Sequence, residues 1–283
     1  MTTNGASTHR DTQPASPIVL LGRPCGNTFA VLEVLQDAGI PLAAVILADA
    51  GLTSAEDAAG QDRTPVYRTP TPRAATRLLE RLRPDLVIAA CYPWRLSDRA
   101  RAAARHGVLN IHPSLLPQGR GPDPVFWVYR QGMRETGVTV HLMDDDLDSG
   151  PILSQQRLTV PDEMDAVTLE LHLFETGAHL TTNLIPQVLA GAAVTTPQDD
   201  LAATYEPAPA EHDWIISPLL PAGWAWRFVR GVEPLHGPLM VHAQGQYLPV
   251  RRALAWGEQG DPPEHIPAGA IAIRFRPGWV VFA

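Results

Sequence analysis

Between residues 107 and 153 the chain reads GVLNIHPSLLPQGRGPDPVFWVYRQGMRETGVTVHLMDDDLDSGPIL. The apolar run at 108–111 predicts a strand, and a loop rich in Pro and Gly follows it. Asn110 and His112 stand two positions apart, so their side chains point to the same face of that strand. Both lie at its carboxyl end, where open parallel sheets place their ligands. We therefore interpret Asn110 and His112 as a pair of reacting groups.

Strands and helices alternate on both sides of this segment. Apolar runs predict strands, and helical spacing of apolar residues predicts helices. Alternation of this kind is typical of the α/β class with a doubly wound parallel sheet. The predicted strands are 18–21, 42–47, 85–90, 108–111 and 137–142, and the predicted helices are 28–38, 73–83, 97–105, 125–130 and 166–189.

The composition changes after Gly191 and suggests a second domain. Residues 191–210 are rich in Ala, Thr and Pro, which fits a linker. Four short strand candidates separated by Gly and Pro then indicate a small β-rich domain, a barrel or a sandwich. We expect a disordered leader at 1–16, a main domain at 17–190, the linker at 191–203 and the β-rich domain at 204–283. The candidate strands are 238–241, 247–255, 270–275 and 279–282.

The charge of the chain limits its possible partners. The net charge is −8, and all 22 basic residues are arginines because the sequence contains no lysine. Nucleic-acid binding needs a positive surface, so an excess of acid argues against it. Without lysine, Schiff-base chemistry and the Lys-containing phosphate loop are excluded. A polar leader without an apolar signal core, and the lack of any apolar run of membrane-spanning length, predict a cytoplasmic protein.

Asp148 is the third residue that we expect at the reacting centre, because its loop could return it to the crevice beside Asn110 and His112. An amide, an imidazole and a carboxylate together supply an oxyanion donor, a protonatable group and a partner that fixes its state. Each has a simpler explanation: Asn110 as a turn former, His112 as a structural residue before a proline, and the aspartates of 144–148 as a solvated loop. A calcium loop beginning at Asp144 is excluded, because Ser149 and Gln155 occupy the positions that need Gly and Glu.

Four motifs in order resemble the folate-dependent formyltransferases, a family with methionyl-tRNA, glycinamide-ribonucleotide and sugar-amine members. The resemblance covers residues 17–190, and the tail from Thr204 is similar to the small OB-like barrel of the methionyl-tRNA members. The motifs are NIHPSLLP at 110–117, RG at 120–121, ETGVT at 135–139 and LDSGPIL at 147–153.

The resemblance implies that Asn110, His112 and Asp148 are the catalytic residues and that N10-formyltetrahydrofolate is the formyl donor. No metal is implied. It also implies that the pterin of the donor lies against two short segments, with the loop that begins at Ser114 beside it. The implied cofactor-binding residues are Cys91, Tyr92, Pro93, Trp94, Arg95, Leu96, Ser114, Met143, Asp144, Asp145, Asp146 and Leu147.

The acceptor is the least determined part of this hypothesis. Methionyl-tRNA members carry a basic loop after the second strand, whereas residues 48–61 (ADAGLTSAEDAAGQ) hold three acidic residues and no basic one. The tail from Thr204 has six arginines against seven acidic residues. We therefore expect a small-molecule, amino-sugar or carrier-bound amine, and we expect nucleic acid and membranes not to be partners. The oligomeric state is left open.

Three other functions stay open at this point. A methionyl-tRNA formyltransferase and a formyltetrahydrofolate hydrolase would use the same three residues. A dinucleotide-binding module is disfavoured because residues 22–27 (GRPCGN) lack the G-x-G-x-x-G spacing. Trp94, Phe126 and Trp127 could line an acceptor pocket or pack in the core.

Overall fold

The structure is a computed structural model that describes residues 17–49, 64–235, 237–243 and 245–283. The expected leader at 1–16, and all but the first two residues of the acidic segment at 48–61, lie outside the described residues. Within the described part, no helix is both long enough and apolar enough to cross a membrane.

A seven-stranded sheet forms the centre of the larger part of the chain, and its strands lie in the order β3-β2-β1-β4-β5-β6-β7. The first five of these pair in parallel, as predicted. The strands are β1 (Ile18–Gly22), β2 (Leu42–Ala48), β3 (Val66–Thr69), β4 (Leu86–Ala90), β5 (Val108–His112), β6 (Glu135–Leu142) and β7 (Ile152–Thr159).

The sheet is parallel, as predicted, except at one edge. Strand β6 pairs antiparallel with both β5 and β7. Strands β3 and β7 were not predicted from the sequence. Strand β3 has only four residues, and β7 (ILSQQRLT) is a partly exposed edge strand whose polar residues hide its apolar pattern.

In the described part of the chain, five helices cover the two faces of this sheet, and all five were predicted to within a few residues. Side-chain caps fix three of their starts: Thr71, Ser97 and Asp165 each accept a hydrogen bond from a backbone N–H of the first turn. Gly177 lets α5 approach β5, because a Cβ there would lie 2.3 Å from a side-chain carbon of Ile111. The helices are α1 (Gly26–Asp37), α2 (Pro72–Leu82), α3 (Asp98–Ala102), α4 (Pro124–Arg130) and α5 (Ala166–Leu189).

The C-terminal part contains two three-stranded sheets, ordered β10-β9-β8 and β11-β13-β12. All pairs in them are antiparallel except β8 with β9. A small β-rich region is therefore confirmed, whereas a closed OB-like barrel is not. Its elements are β8 (Ile215–Ile216), α6 (Ala222–Val232), β9 (Leu239–Ala243), β10 (Gln246–Val250), β11 (Ala253–Gly257), β12 (Ile271–Arg274) and β13 (Trp279–Phe282).

Helix α6 was missed by the sequence analysis, and it joins the two parts of the chain. The indole Nε1 of Trp224 donates a hydrogen bond to the carbonyl oxygen of Arg130, at the end of α4, at 3.0 Å. The Trp224 ring stacks on Phe228, which packs edge-on against Phe126 of α4. One apolar core therefore continues from the main sheet into the C-terminal part. The division into domains at 190 and 204 stays a prediction.

Candidate active site

Three polar side chains meet at the carboxyl end of β5. Asn110 and His112 come from β5, and Asp148 comes from the turn between β6 and β7. The Oδ1 atom of Asp148 lies 3.4 Å from Asn110 Nδ2 and 3.7 Å from His112 Nδ1. The structure therefore places the amide, the imidazole and the carboxylate predicted from the sequence around one space.

Asp148 occupies an unusual backbone conformation that brings its side chain inward. Its φ is +54°, in the left-handed region that few residues other than glycine adopt. Two residues later the chain passes so close to Leu142 that a Cβ on Gly150 would lie 1.9 Å from the Leu142 carbonyl oxygen. Asp148 is 6% exposed, and its Oδ2 atom accepts a hydrogen bond from Gly121 N at 2.9 Å. The DSG sequence at 148–150 thus makes a tight turn that buries a carboxylate.

His112 is oriented by the loop that follows its own strand. It is 5% exposed, and its Nε2 atom lies 2.7 Å from the carbonyl oxygen of Gly119. Since a carbonyl only accepts, Nε2 carries the hydrogen, and Nδ1 is the atom that faces Asp148. The Gly119 carbonyl therefore fixes the orientation of the ring, with Nδ1 directed at the carboxylate.

His141 is a fourth polar group of the site, and the sequence analysis missed it. It stands on β6 directly opposite Asn110 in the strand register, and it is 1% exposed. Its Nδ1 donates to the Leu142 carbonyl oxygen at 2.9 Å, so its Nε2 accepts from Asn110 Nδ2 at 3.1 Å. The available signal was the alternation in TGVTVHL, which places His141 and Thr139 on one face of a strand beside β5.

Burial keeps His141 neutral. Loss of hydration lowers the pKa of His141 to about 4, and positive charge on His112 adds to this, while Asp148 opposes it. A neutral imidazole with its hydrogen on Nδ1 can only accept at Nε2. The NH₂ end of Asn110, and not its oxygen, must therefore face His141 and Asp148.

A small cleft lies beside this group and contains half of the residues that the resemblance implied for the pterin. It is lined by Arg95, Leu96, His141, Met143, Asp144, Asp146, Leu147 and Asp148. Arg95 and Asp146 form an exposed ion pair at 3.5 Å. The cleft thus joins the segment after β4 to the segment after β6, next to the three central side chains.

The structure places the other implied cofactor-binding residues outside the lining of that cleft. Asp145 pairs with Arg101, and Tyr92 packs edge-on against Trp94. Pro93, between them, is exposed. Cys91 has a φ of +54° and hydrogen-bonds Cys25, which follows β1. Ser114 lines a different cavity.

That larger cavity has a volume of about 700 Å³ and lies on the other side of the loop at 114–119. Trp127 is in its wall, and its indole nitrogen donates to the Pro207 carbonyl oxygen at 2.8 Å. Phe126 is fully buried in the core, so of these two aromatic residues only Trp127 lines a cavity. Trp94 is not in its lining.

Gln198 is a second contributor that the sequence analysis missed. It lies in the segment predicted as a linker, and its Nε2 donates to the carbonyl oxygens of Asp148 and Gly150, each at 2.8 Å. A polar residue in a segment rich in Ala, Thr and Pro gave no signal of this contact. Among the described residues, no group of three or more His, Cys, Asp or Glu side chains could hold a metal ion.

Comparison with known proteins identifies relatives of this chain. The family model described as "Formyl transferase" matches residues 27–189, more than half of the chain. A methionyl-tRNA formyltransferase from Roseiflexus sp. (strain RS-1) is 33% identical over 238 residues, which cover 78% of this chain and 71% of the relative.

Two solved structures share the fold. WlaRD, a sugar 3N-formyl transferase crystallised with dTDP and 5-N-formyl-THF, matches 96% of this chain and 98% of its own, with 13% identity and a TM-score of 0.69. HypX from Aquifex aeolicus, in complex with tetrahydrofolic acid, matches 94% of this chain with 16% identity and a TM-score of 0.67. This chain spans only 43% of the HypX chain.

Proposed function

This chain is an enzyme of the formyl transferase family, and we propose that it transfers the formyl group of N10-formyltetrahydrofolate to a primary amine. The convergence of Asn110, His112 and Asp148 on one space is the observation that supports the reaction most directly. We assign the pterin of the donor to the narrow cleft beside them, between Leu96 and the segment 143–147.

We propose that Asn110 and His112 stabilise the negative charge that develops on the formyl oxygen. One N–H of Asn110 is anchored on His141 at 3.1 Å, whereas the other reaches Asp148 only at 3.4 Å. The second N–H makes the weaker contact, and it is the one that we assign to the formyl oxygen. Hydrogen bonds of catalytic groups are commonly long before the substrate binds. A protonated His112 would add a positive charge in a site from which water is largely excluded.

We assign the proton transfer to Asp148. An amine that attacks the formyl carbon becomes positively charged and must lose a proton, which the carboxylate can accept directly or through a water. The same carboxylate holds a charged His112, because its Oδ1 lies 3.7 Å from His112 Nδ1. Its Oδ2 is occupied by Gly121 N, so Oδ1 is the oxygen that reacts.

The acceptor that we propose is an amine on a small molecule, an amino sugar or a carrier-bound aminoacyl group. The support is the acidic character of residues 48–61 and the charge balance of the tail from Thr204. The comparisons do not support the stronger expectation that nucleic acid is excluded, since the Roseiflexus relative is named for methionyl-tRNA. Methionyl-tRNA is therefore the second candidate acceptor.

An acceptor panel tests this proposal. Purified protein is incubated with N10-formyltetrahydrofolate and an amino-sugar nucleotide, free amino acids, an aminoacyl carrier protein, methionyl-tRNA or no amine, and formylated products are measured. Transfer to one of the first three supports the proposed acceptor, and transfer to methionyl-tRNA alone refutes it. Release of formate without an amine, at the same rate as with one, would identify a hydrolase.

A further inference from the structure

Residues 196–206, which we call the strap, run across the two loops that complete the active site. At one end Thr196 exchanges two backbone hydrogen bonds with Ile152, each at 2.8 Å, beyond the turn that carries Asp148. At the other end Tyr205 pairs in parallel with Arg120. The strap therefore connects the turn of Asp148 to the loop that orients His112, although the sequence predicted a linker at 191–203.

Gln198 makes the central contact of the strap. Its two N–H groups donate to the carbonyl oxygens of Asp148 and Gly150, and its Oε1 accepts from Nε and Nη2 of Arg120 at 3.1 and 2.9 Å. Both hydrogens and both lone pairs of the amide are thus used. An amide used so completely has one orientation, because a flip would set its oxygen against two carbonyl oxygens.

The backbone of Asp148 depends on such external contacts. A left-handed φ in a residue other than glycine costs energy and persists only where the surroundings hold it. Gln198 holds the Asp148 carbonyl, and Gly121 N holds its carboxylate. Because the side chain moves with the backbone, Gln198 helps to set where Oδ1 lies relative to Asn110 and His112.

The strap also holds the loop that orients His112. Thr204 Oγ1 accepts from Gly119 N at 2.8 Å, and the carbonyl oxygen of Gly119 in turn accepts from His112 Nε2 at 2.7 Å. Backbone hydrogen bonds from Arg120 N to Thr204 O and from Thr204 N to Pro117 O fix the same loop. The carboxylate that accepts the proton and the imidazole that stabilises the oxyanion in the proposed mechanism are thus both held from the strap.

We propose that Gln198 is a positioning residue, which sets the separation of Asp148 and His112 through the Asp148 backbone. This inference rests on the proposed function for its effect on rate, but not for its effect on geometry. Small displacements of reacting groups lower the rate steeply, because the groups are then no longer held in the orientation that the reaction needs.

Gln198→Glu tests the proposal, because the carboxylate still accepts from Arg120 but places oxygens against the carbonyls of Asp148 and Gly150. We expect kcat to fall at least ~10-fold, with the KM of the amine changed less than ~3-fold. Gln246→Glu, at an exposed position on β10, is the matched control and should keep the wild-type rate. Gln198→Met, which removes the four hydrogen bonds of the amide without adding a charge, should also lower kcat and covers the case in which Gln198→Glu fails to fold.

Two further measurements separate positioning from general loss of structure. In an Asp148→Asn background, the effect of Gln198→Glu on single-turnover rates should disappear, since both changes act on one group. In crystal structures, the Asp148 carboxylate should move away from His112 in Gln198→Glu and not in Gln246→Glu. An unmoved carboxylate, or an equal fall in rate in both backgrounds, would overturn the inference. Inactive wild-type protein would refute the proposed function, and the crystal structures would still decide the role of Gln198.

Discussion

The segment from 107 to 153 and the strap at 196–206 both build the same site, but they do so by different means. The first supplies the groups that can react, on a strand end and a tight turn. The strap supplies contacts to backbone atoms, through Gln198 and Thr204. The comparison teaches that the residues that react and those that hold them in place can come from distant parts of a chain.

The largest expected effects come from the reacting groups themselves. Asn110→Ala and Asp148→Asn should each lower kcat by at least ~100-fold, because each removes an oxyanion donor or a proton acceptor. Thermal unfolding should stay cooperative in both variants, and Asp37→Asn, an exposed change at the end of α1, is the control for both measurements. Wild-type kcat in either variant would show that the substituted residue does not take part in the reaction, and the segment 107–153 would then no longer differ from the strap in this respect.

His141 should show an intermediate effect, since it orients Asn110 without reacting. The amide of Gln reaches about as far as Nε2 of His, so His141→Gln can still accept from Asn110 and should keep kcat within ~3-fold. The amide of Asn reaches only as far as Nδ1 of His, so His141→Asn loses the acceptor for Asn110 and should lower kcat ~10-fold. Steady-state kinetics of the pair measure this, and equal rates in the two variants would show that the contact with Asn110 has no role.

The pH dependence of stability tests the neutral state of His141 without using activity. The pKa of His141 is lowered to about 4 in the folded protein, mainly by burial, so the unfolded chain binds a proton at higher pH than the folded one. Stability should therefore be complete above the unfolded pKa of about 6.5 and fall as the pH drops towards 4. Thermal unfolding between pH 7 and pH 4.5 measures this fall. It should be smaller in His141→Gln, and an identical slope would contradict the assignment.

The smallest expected effect is that of salt on the acceptor. If the acceptor is not a nucleic acid, raising salt from about 50 to 200 mM should change its KM by less than ~2-fold. An enzyme that neutralised several phosphates would lose affinity by orders of magnitude over the same range. A steep salt dependence would favour methionyl-tRNA as the acceptor. It would also indicate that the C-terminal part takes part in binding the acceptor.

Most of the main sheet and its helices could be predicted from the sequence, because their apolar periods are local. Helix α5 was predicted with its bounds, and β13 likewise. Helix α6 (AGWAWRFVRGV) was missed because glycine and aromatic residues have a low helix propensity, so no element was predicted there. The direction of β6 could not be predicted, since alternation identifies a strand but not its neighbours.

The residues of the site divide in the same way, into those that the local sequence predicts and those that it does not. Asn110 and His112 could be paired from their spacing, Asp148 was expected from a loop that could return it to the same crevice, and the resemblance implied the same three residues. His141 became visible only through the register of β6 on β5, and Gln198 only through a contact across 50 positions of the chain. Such partners are chosen by tertiary packing, and the sequence around them carries no periodic signal.

The most direct test of the central claim is a crystal structure with a stable formyl-folate analogue bound. We expect the pterin to bind in the cleft between Leu96 and the segment 143–147, with the formyl oxygen within hydrogen-bond distance of Asn110 Nδ2 and His112. A formyl group bound away from Asn110, His112 and Asp148, for example in the 700 Å³ cavity beside Trp127, would contradict it.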